Sequence, residues 1–256
     1  MRGTARGVFR LIRIVGHLLF GVWITWRLQR RQAGLEAHSQ VRRAWYRRAL
    51  RLAGVQFEVT GTAPGAPSLV VANHVSWLDI PLLGAALDPC FLSKAEIARW
   101  PVIGWLARRH GTRFIRRGAH EARAHVDAMR EGLDAGRHFA VFPEGTTTRG
   151  HGMRRFHPRL FAAVTDTAHP VQPVALDYET RNDGVVPVSF AGPDRLVPNV
   201  WRLLCRPSTR VTVRVLDPLE GGERPRRELA ERSRAQIVEA LELPAEPIQD
   251  PRPGQG

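Results

Sequence analysis

Cysteine is scarce in this chain of 256 residues: only Cys90 and Cys205 occur. Two cysteines build neither a disulfide framework nor a thiolate metal site, so a reducing compartment is expected. Lysine is scarcer still, with Lys94 alone among 38 lysines and arginines. The net charge of +14 therefore rests on arginine, whose planar fork suits phosphate and carboxylate groups. Such a balance implies an anionic partner: a phospholipid surface, nucleic acid or a phosphorylated substrate. No recognised nucleic-acid module occurs, and the basic density does not follow an aromatic stacking platform, so no nucleic-acid partner is expected. Metal-ligand spacing is also lacking. His120 and His125 are spaced wrongly for one helical face, and His151, His157 and His169 scatter through a loop-rich stretch, so no metal is expected.

Acidic residues are missing from one region above all. Residues 1–57 hold twelve arginines against Glu36 alone, so most of the charge excess lies there. The same region contains the most apolar run, Ile14 to Trp26, thirteen residues that include His17 and Thr25. That is short of the roughly 20 residues a bilayer-spanning helix needs, and extension back to Val8 takes in Arg10 and Arg13. No small-residue cleavage site follows, only Trp26-Arg27, so the segment reads as an uncleaved anchor that dips into or lies on the membrane. Trp23 and Trp26 are then expected at headgroup level, with Arg27, Arg30 and Arg31 against anionic lipid on the cytoplasmic side. A second helix is expected over Ser39–Leu52, where Val41, Trp45, Ala49 and Leu52 recur at helical spacing. Its Arg42, Arg43, Arg47 and Arg48 are expected to face lipid phosphates. Residues 1–53 thus form a membrane-anchoring leader of two amphipathic helices, 54–243 the body, and 244–256 a proline-broken, disordered tail.

The hydrophobic content of 43% allows the body to bury a core. Short apolar runs alternating with helical patterns predict one α/β domain, a mixed, mainly parallel sheet flanked by helices. Val55–Val59, Ser68–Ala72, Phe91–Lys94, His138–Phe142, Val171–Asp177, Val186–Phe190 and Arg210–Leu216 read as strands. Gly111–Gly118 reads as turn, strand, turn. Helices are expected over Pro101–Arg108, Ala119–Asp134, Val197–Leu204 and Glu228–Leu243.

The run Ser68–Ala72 leads into Asn73-His74-Val75-Ser76-Trp77-Leu78-Asp79, after which Ile80, Leu82 and Leu83 continue at helical spacing. A histidine thus stands at a strand exit, the edge where open α/β folds bind ligands. A neutral imidazole takes a proton from a hydroxyl at pH 7, and a carboxylate on its other nitrogen fixes tautomer and orientation. Continuous helix would place His74 and Asp79 on different faces; a strand-to-helix turn lets them meet. Ser76-x-x-Asp79 also fits a capping box, in which Asp79 only satisfies orphan amides. Spacing alone leaves both readings open. At a second strand exit, Phe142-Pro143-Glu144-Gly145 leads into Thr146-Thr147-Thr148-Arg149-Gly150. Gly145 permits close backbone approach and the threonine hydroxyls can donate to oxyanions, although an ordinary loop has the same composition. Arg113, Arg116 and Arg117 crowd a third exit and suit a phosphate.

Four blocks, in order over roughly residues 68–177, resemble the phospholipid-synthesis acyltransferases typified by 1-acyl-sn-glycerol-3-phosphate acyltransferase. They are Asn73-His74-x4-Asp79, Gly111-x-x-Phe114-Ile115-x-Arg117, Phe142-Pro143-Glu144-Gly145-Thr146 and Val171-Gln172-Pro173-Val174. The resemblance implies that His74 is the general base for a lipid hydroxyl and that Asp79 orients it. The hydroxyl then attacks the thioester of acyl-CoA or acyl-carrier protein, with no covalent acyl-enzyme, no metal and no cofactor. It further implies that Arg117, Glu144, Gly145 and Thr146 hold the lysophospholipid acceptor, with Lys94 beside the acceptor or the oxyanion. The implied location is a bacterial-type inner membrane, with the catalytic domain on the cytoplasmic side.

Two departures bear on the acceptor. Thr147 stands where members acting on lysophosphatidate often carry arginine, and Arg116 replaces a frequent acid. Lysophosphatidate is the expected acceptor, giving phosphatidate, with Arg113, Arg116 and Arg149 compensating; lyso-ornithine lipid is the alternative. A non-catalytic basic membrane-surface binder is the alternative of another class, and it has no use for a His74–Asp79 pair.

Overall fold

The computed structural model describes residues 2–30, 34–94, 98–109, 112–115, 121–180 and 183–248. Two helices, α1 (Arg2–Arg30) and α2 (Leu35–Ala53), precede β1 (Val55–Thr60), β2 (Leu69–Ala72), α3 (Asp79–Ala86), β3 (Cys90–Lys94), α4 (Ile103–Arg109) and β4 (Arg113–Ile115). Then follow α5 (Glu121–Asp134), β5 (Phe139–Val141), β6 (Val171–Tyr178), α6 (Leu196–Cys205), β7 (Thr209–Val215) and α7 (Arg226–Ala240). The strands form one sheet in the order β1-β7-β6-β2-β5-β3-β4, parallel except for the antiparallel β6–β7 pair. This is the mixed, mainly parallel, helix-flanked sheet expected from the sequence.

Strands covered on both faces need apolar residues without polar alternation, and β2 shows why. Val70 and Ala72 enter one core with Ala140, Val174 and Leu176, together with side chains of α2, α3 and α6. Leu69 and Val71 enter the other with Phe139, Val141 and Val171, against α5 and α7. Each fully buried aliphatic side chain contributes about 1.5–3 kcal/mol, so the central strand is a firm platform. It pairs with β5 on one side and β6 on the other, Val70 lying opposite both Ala140 and Gln172. The chain leaves β2 through α3 on the first face and reaches β5 through α5 on the second, and the carboxyl ends of such strands are the edge where open α/β folds bind ligands.

The leader helices redistribute the charge that the sequence placed against lipid. α1 runs unbroken through Arg10 and Arg13 and is long and apolar enough to cross a membrane. Three of the α2 arginines bond to the body, while Arg48 and Arg51 stay exposed. Arg42 makes a two-pronged ion pair with Asp88, Arg43 donates to Ala86 O at 2.7 Å, and Arg47 donates to Ala85 O at 3.2 Å. The carbonyl end of α3 and the Asp88 carboxylate gather negative charge there, and the guanidinium groups neutralise it.

Two further expectations change. Val186–Phe190 is an irregular loop, because its amides bond to other loops instead of a ladder: Val186 N–H to Arg149 O and Phe190 N–H to Val75 O. Within the expected disordered tail, Ile248 N–H donates to Met153 O at 3.0 Å; residues 249–256 lie outside the described residues.

Candidate active site

At the end of β2 the chain makes a turn, His74–Ser76, in which every backbone polar group is matched. The amide of His74 donates to Glu144 Oε1 at 2.7 Å, and those of Val75 and Ser76 both donate to Asp79 Oδ2, at 2.8 and 3.0 Å. The carbonyls of His74, Val75 and Ser76 accept from the amides of Thr148, Phe190 and Asp79 at 2.8, 2.9 and 3.1 Å. A buried backbone group left unpaired costs about 1–3 kcal/mol, so this turn is confined to one conformation. Asn73 anchors its start by acting as an extra ladder rung. Its Oδ1 accepts from Leu176 N–H at 2.8 Å and its Nδ2 donates to Leu176 O at 3.1 Å.

His74 Nδ1 lies 2.6 Å from Asp79 Oδ2, and the imidazole stacks on Phe142 with ring centroids 4.0 Å apart. With Nδ1–H donated to the carboxylate, Nε2 is the acceptor nitrogen, on a side chain 20% exposed. Asp79 is fully buried. Its Oδ2 takes the Ser76 amide, as one half of a capping box does, and also meets the imidazole. The reciprocal half of the box is absent, because Ser76 Oγ donates to Val188 O at 2.9 Å. Oδ1 accepts from the Tyr178 hydroxyl at 2.5 Å. Burial, then the adjacent Asp79 carboxylate, push that phenol well above its usual range, so it stays a donor. Sequence reading missed Tyr178, which lies 99 residues from Asp79. The available signal was slight: one of only two tyrosines, at the end of the strand that carries the fourth block.

Glu144 is buried at the exit of β5, with Oε1 taken by His74 N–H and Oε2 by Arg154 N–H at 2.9 Å. Burial pushes its carboxyl up to about 7, against the pull of these two amides. The geometry makes it a brace between two loops. Beside it Gly145 and Thr146 are exposed. Gly145 has φ 71°, a backbone conformation that favours glycine, and a Cβ there would stand 3.2 Å from the His157 ring, a tight approach. Arg149 is engaged, donating to Asp194 Oδ2 at 2.8 Å and to Ala191 O at 3.2 Å. Lys94 ends β3, two places from β2 in the sheet. The side chains of Lys94 and Arg113, and all of Arg116 and Arg117, lie outside the described residues.

The turn therefore presents a part-exposed imidazole, held by a buried carboxylate, at the carboxyl end of β2. The Acyltransferase family matches residues 55–177, from β1 into β6, and so includes His74, Asp79, Glu144 and Arg149 but not Tyr178 or the loop partners Val188, Phe190 and Asp194. A lyso-ornithine lipid O-acyltransferase of Pseudomonas aeruginosa is 39% identical over 256 residues, covering 96% of this chain and 98% of the relative. The chain belongs to the PlsC-like acyltransferase family. This acyltransferase also shares 38% identity over 133 residues with a 1-acyl-sn-glycerol-3-phosphate acyltransferase of Neisseria gonorrhoeae, covering 51% of this chain and 52% of that one. The crystal structure of PlsC, the 1-acyl-sn-glycerophosphate acyltransferase of Thermotoga maritima, shares the fold of the acyltransferase with a TM-score of 0.69. That likeness covers 94% of this chain and 98% of the other at 21% identity.

Proposed function

We propose that this acyltransferase moves a fatty acyl group from acyl-CoA or acyl-carrier protein to the hydroxyl of lyso-ornithine lipid. The observation that carries the choice of acceptor is Arg149. Its ion pair with Asp194 engages one of the three arginines that would compensate on a phosphate acceptor once Thr147 replaces the third-block arginine. A hydroxyl substitutes poorly for a bidentate fork on phosphate, whereas the acceptor hydroxyl of lyso-ornithine lipid sits on an acyl chain without phosphate. The full-length likeness to the lyso-ornithine lipid enzyme of P. aeruginosa supports the same choice.

In this reading His74 Nε2 takes the proton of the acceptor hydroxyl as its oxygen attacks the thioester carbonyl carbon. The tetrahedral adduct collapses, the C–S bond breaks, and the departing thiolate recovers the proton from Nε2. Asp79 steadies the imidazole and the positive charge it gains in between. Gly145 and Thr146 line the acceptor's approach, while Lys94 and Arg117 meet anionic groups of acceptor or donor. Glu144 acts through the turn it braces. α1 holds the enzyme at the cytoplasmic face of the inner membrane, where the thioester donors and the insoluble acceptor meet.

Lysophosphatidate is the second reading, favoured by Arg117 in the second block and by the N. gonorrhoeae relative. Purified protein offered each donor with each acceptor separates the two. Transfer to lyso-ornithine lipid, lost in His74→Ala, is the expected result. Phosphatidate formation at the greater rate would reverse the order of acceptors, and absence of transfer by folded protein to either would overturn both.

A further inference from the structure

Eleven of the thirteen large apolar side chains that the described residues leave exposed lie on two helices, α1 and α6. Chance would scatter them, as single exposed apolar residues are ordinarily scattered. Nine belong to α1, already read as membrane-associated. The other two are Val197, 78% exposed, and Trp201, 37% exposed, on the ten-residue α6.

The two helices are fastened together. Arg10 donates to Leu204 O, Arg206 O and Pro207 O at 3.1, 2.6 and 2.9 Å, and Arg6 donates to Cys205 O at 3.2 Å. These are carbonyls at the end of α6 that have no intrahelical partner, at the negative end of its dipole. Gly7 permits the close approach: a Cβ there would lie 2.7 Å from Cys205 Sγ and 3.0 Å from the Trp201 ring. On its other side α6 reaches the His74 turn. Asn199 is buried, accepts from the Trp77 indole N–H at 2.9 Å, and donates to Ser189 O at 2.7 Å.

We propose that α6 is a second membrane-contacting element, whose Val197 and Trp201 enter the headgroup–acyl boundary of a phospholipid bilayer beside the apolar face of α1. The Trp77–Asn199 hydrogen bond then registers the His74 turn against the lipid surface from which the acceptor arrives. The proposal rests on the membrane reading of α1, with which the α6 patch is continuous. Charge identifies the occupant. Arg2, Arg13 and Arg30 of α1 and Arg202 of α6 are exposed on these same helices, and no acid occurs before Glu36. Anionic headgroups satisfy such a face, whereas a second copy of the chain would set arginine against arginine. The guanidinium groups of Arg27 and Arg30 lie over the Trp23 and Trp26 rings, a pairing suited to the polar–apolar boundary.

A polarity-sensitive fluorophore tests this on the full chain in the Cys205→Ser background, Cys90 being buried. It is placed in turn at Val197→Cys, at Ile12→Cys on α1, and at Arg227→Cys on α7 across the sheet. Vesicles of phosphatidylglycerol and phosphatidylethanolamine are then added. The expected result is a blue shift with a several-fold rise in emission at positions 197 and 12 and none at 227. A response at 12 without one at 197 overturns the proposal and leaves the membrane reading of α1 standing. Silence at both overturns the two together. A rise at 197 that follows protein concentration without vesicles assigns the patch to a second copy instead. Val197→Asp is expected to weaken vesicle binding about tenfold while leaving turnover of a detergent-dispersed acceptor unchanged. Trp77→Phe, which keeps an aromatic side chain and removes the indole donor, is expected to retain vesicle binding and lower turnover of vesicle-borne acceptor several-fold. Unchanged turnover would remove the registering role.

Discussion

Asp79 and Asp88 stand at opposite ends of α3 with side chains 0% and 6% exposed, and they are satisfied in opposite ways. Asp79 opens the helix, where free amides and the positive end of the dipole favour an anion. Three of its donors, from His74, Val75 and Ser76, lie within five residues. Asp88 follows the other end, where the carbonyls of Ala85 and Ala86 already concentrate negative charge. Its counter-charge comes from Arg42, 46 residues earlier, with Arg43 and Arg47 on the neighbouring carbonyls. One cluster is local and leaves Nε2 of a part-exposed imidazole outside it. The other is remote, closed, and serves to dock the leader on the body. Burial of a carboxylate is therefore no guide to its use; what its partners leave open is.

The comparison breaks most severely at the local end. Asp79→Asn turns a carboxylate that receives four hydrogen bonds into an amide, and kcat is expected to fall about 10³-fold or more. His74→Ala should do the same, with vesicle binding intact in both, as followed by single-turnover acyl transfer and flotation. A loss under tenfold would reduce Asp79 to a cap. At the remote end, Arg42→Ala strands the Asp88 carboxylate beside helix carbonyls, and urea unfolding should lose about 3–5 kcal/mol. Turnover per folded molecule should not change. A loss under about 1 kcal/mol would pass the neutralising role to Arg43 and Arg47.

Glu144 sharpens the contrast as a third buried carboxylate, this one held by two backbone amides. Its folded carboxyl stands at about 7 through burial, above the ordinary 4.5. The stability it contributes is full below 4.5 and is lost as the pH rises through about 7. Native protein should thus lose up to roughly 3 kcal/mol between pH 5 and 8 that Glu144→Gln does not lose. Melting curves that stay parallel across that window would refute the assignment. The smallest effect is expected from Tyr178→Phe, which removes the remote donor of Asp79 and keeps the ring. A fall in kcat of about tenfold at unchanged KM is predicted, the worth of one hydrogen bond to a charged group. A change in KM alone would make the residue merely structural.

Legibility follows the same division. The sheet was readable because its buried strands are unbroken apolar runs such as Leu69–Ala72, and the His74–Asp79 pair because five residues and a turn suffice to join them. Arg42, Arg43 and Arg47 of α2 were misplaced because an amphipathic basic helix looks alike whether its charges meet lipid or the carbonyl end of another helix. Val186–Phe190 has strand-like residues, but its amides are taken by the loops that carry His74 and Arg149. Arg149 looked free for a phosphate, since nothing near it in sequence announces Asp194, 45 residues on.

What the sequence determined by itself is local: which runs are covered on both faces, where the chain turns out of β2, and which carboxylate can reach back to the histidine. These depend on side-chain period and a few backbone dihedrals, which short spacing encodes. Tertiary structure alone decided that Tyr178 completes the shell of Asp79, that Arg42 answers Asp88, and that α6 lies between α1 and the His74 turn. Each joins segments far apart in the chain. A buried charge takes whichever partner the packing brings within about 3 Å, and that choice belongs to the folded core.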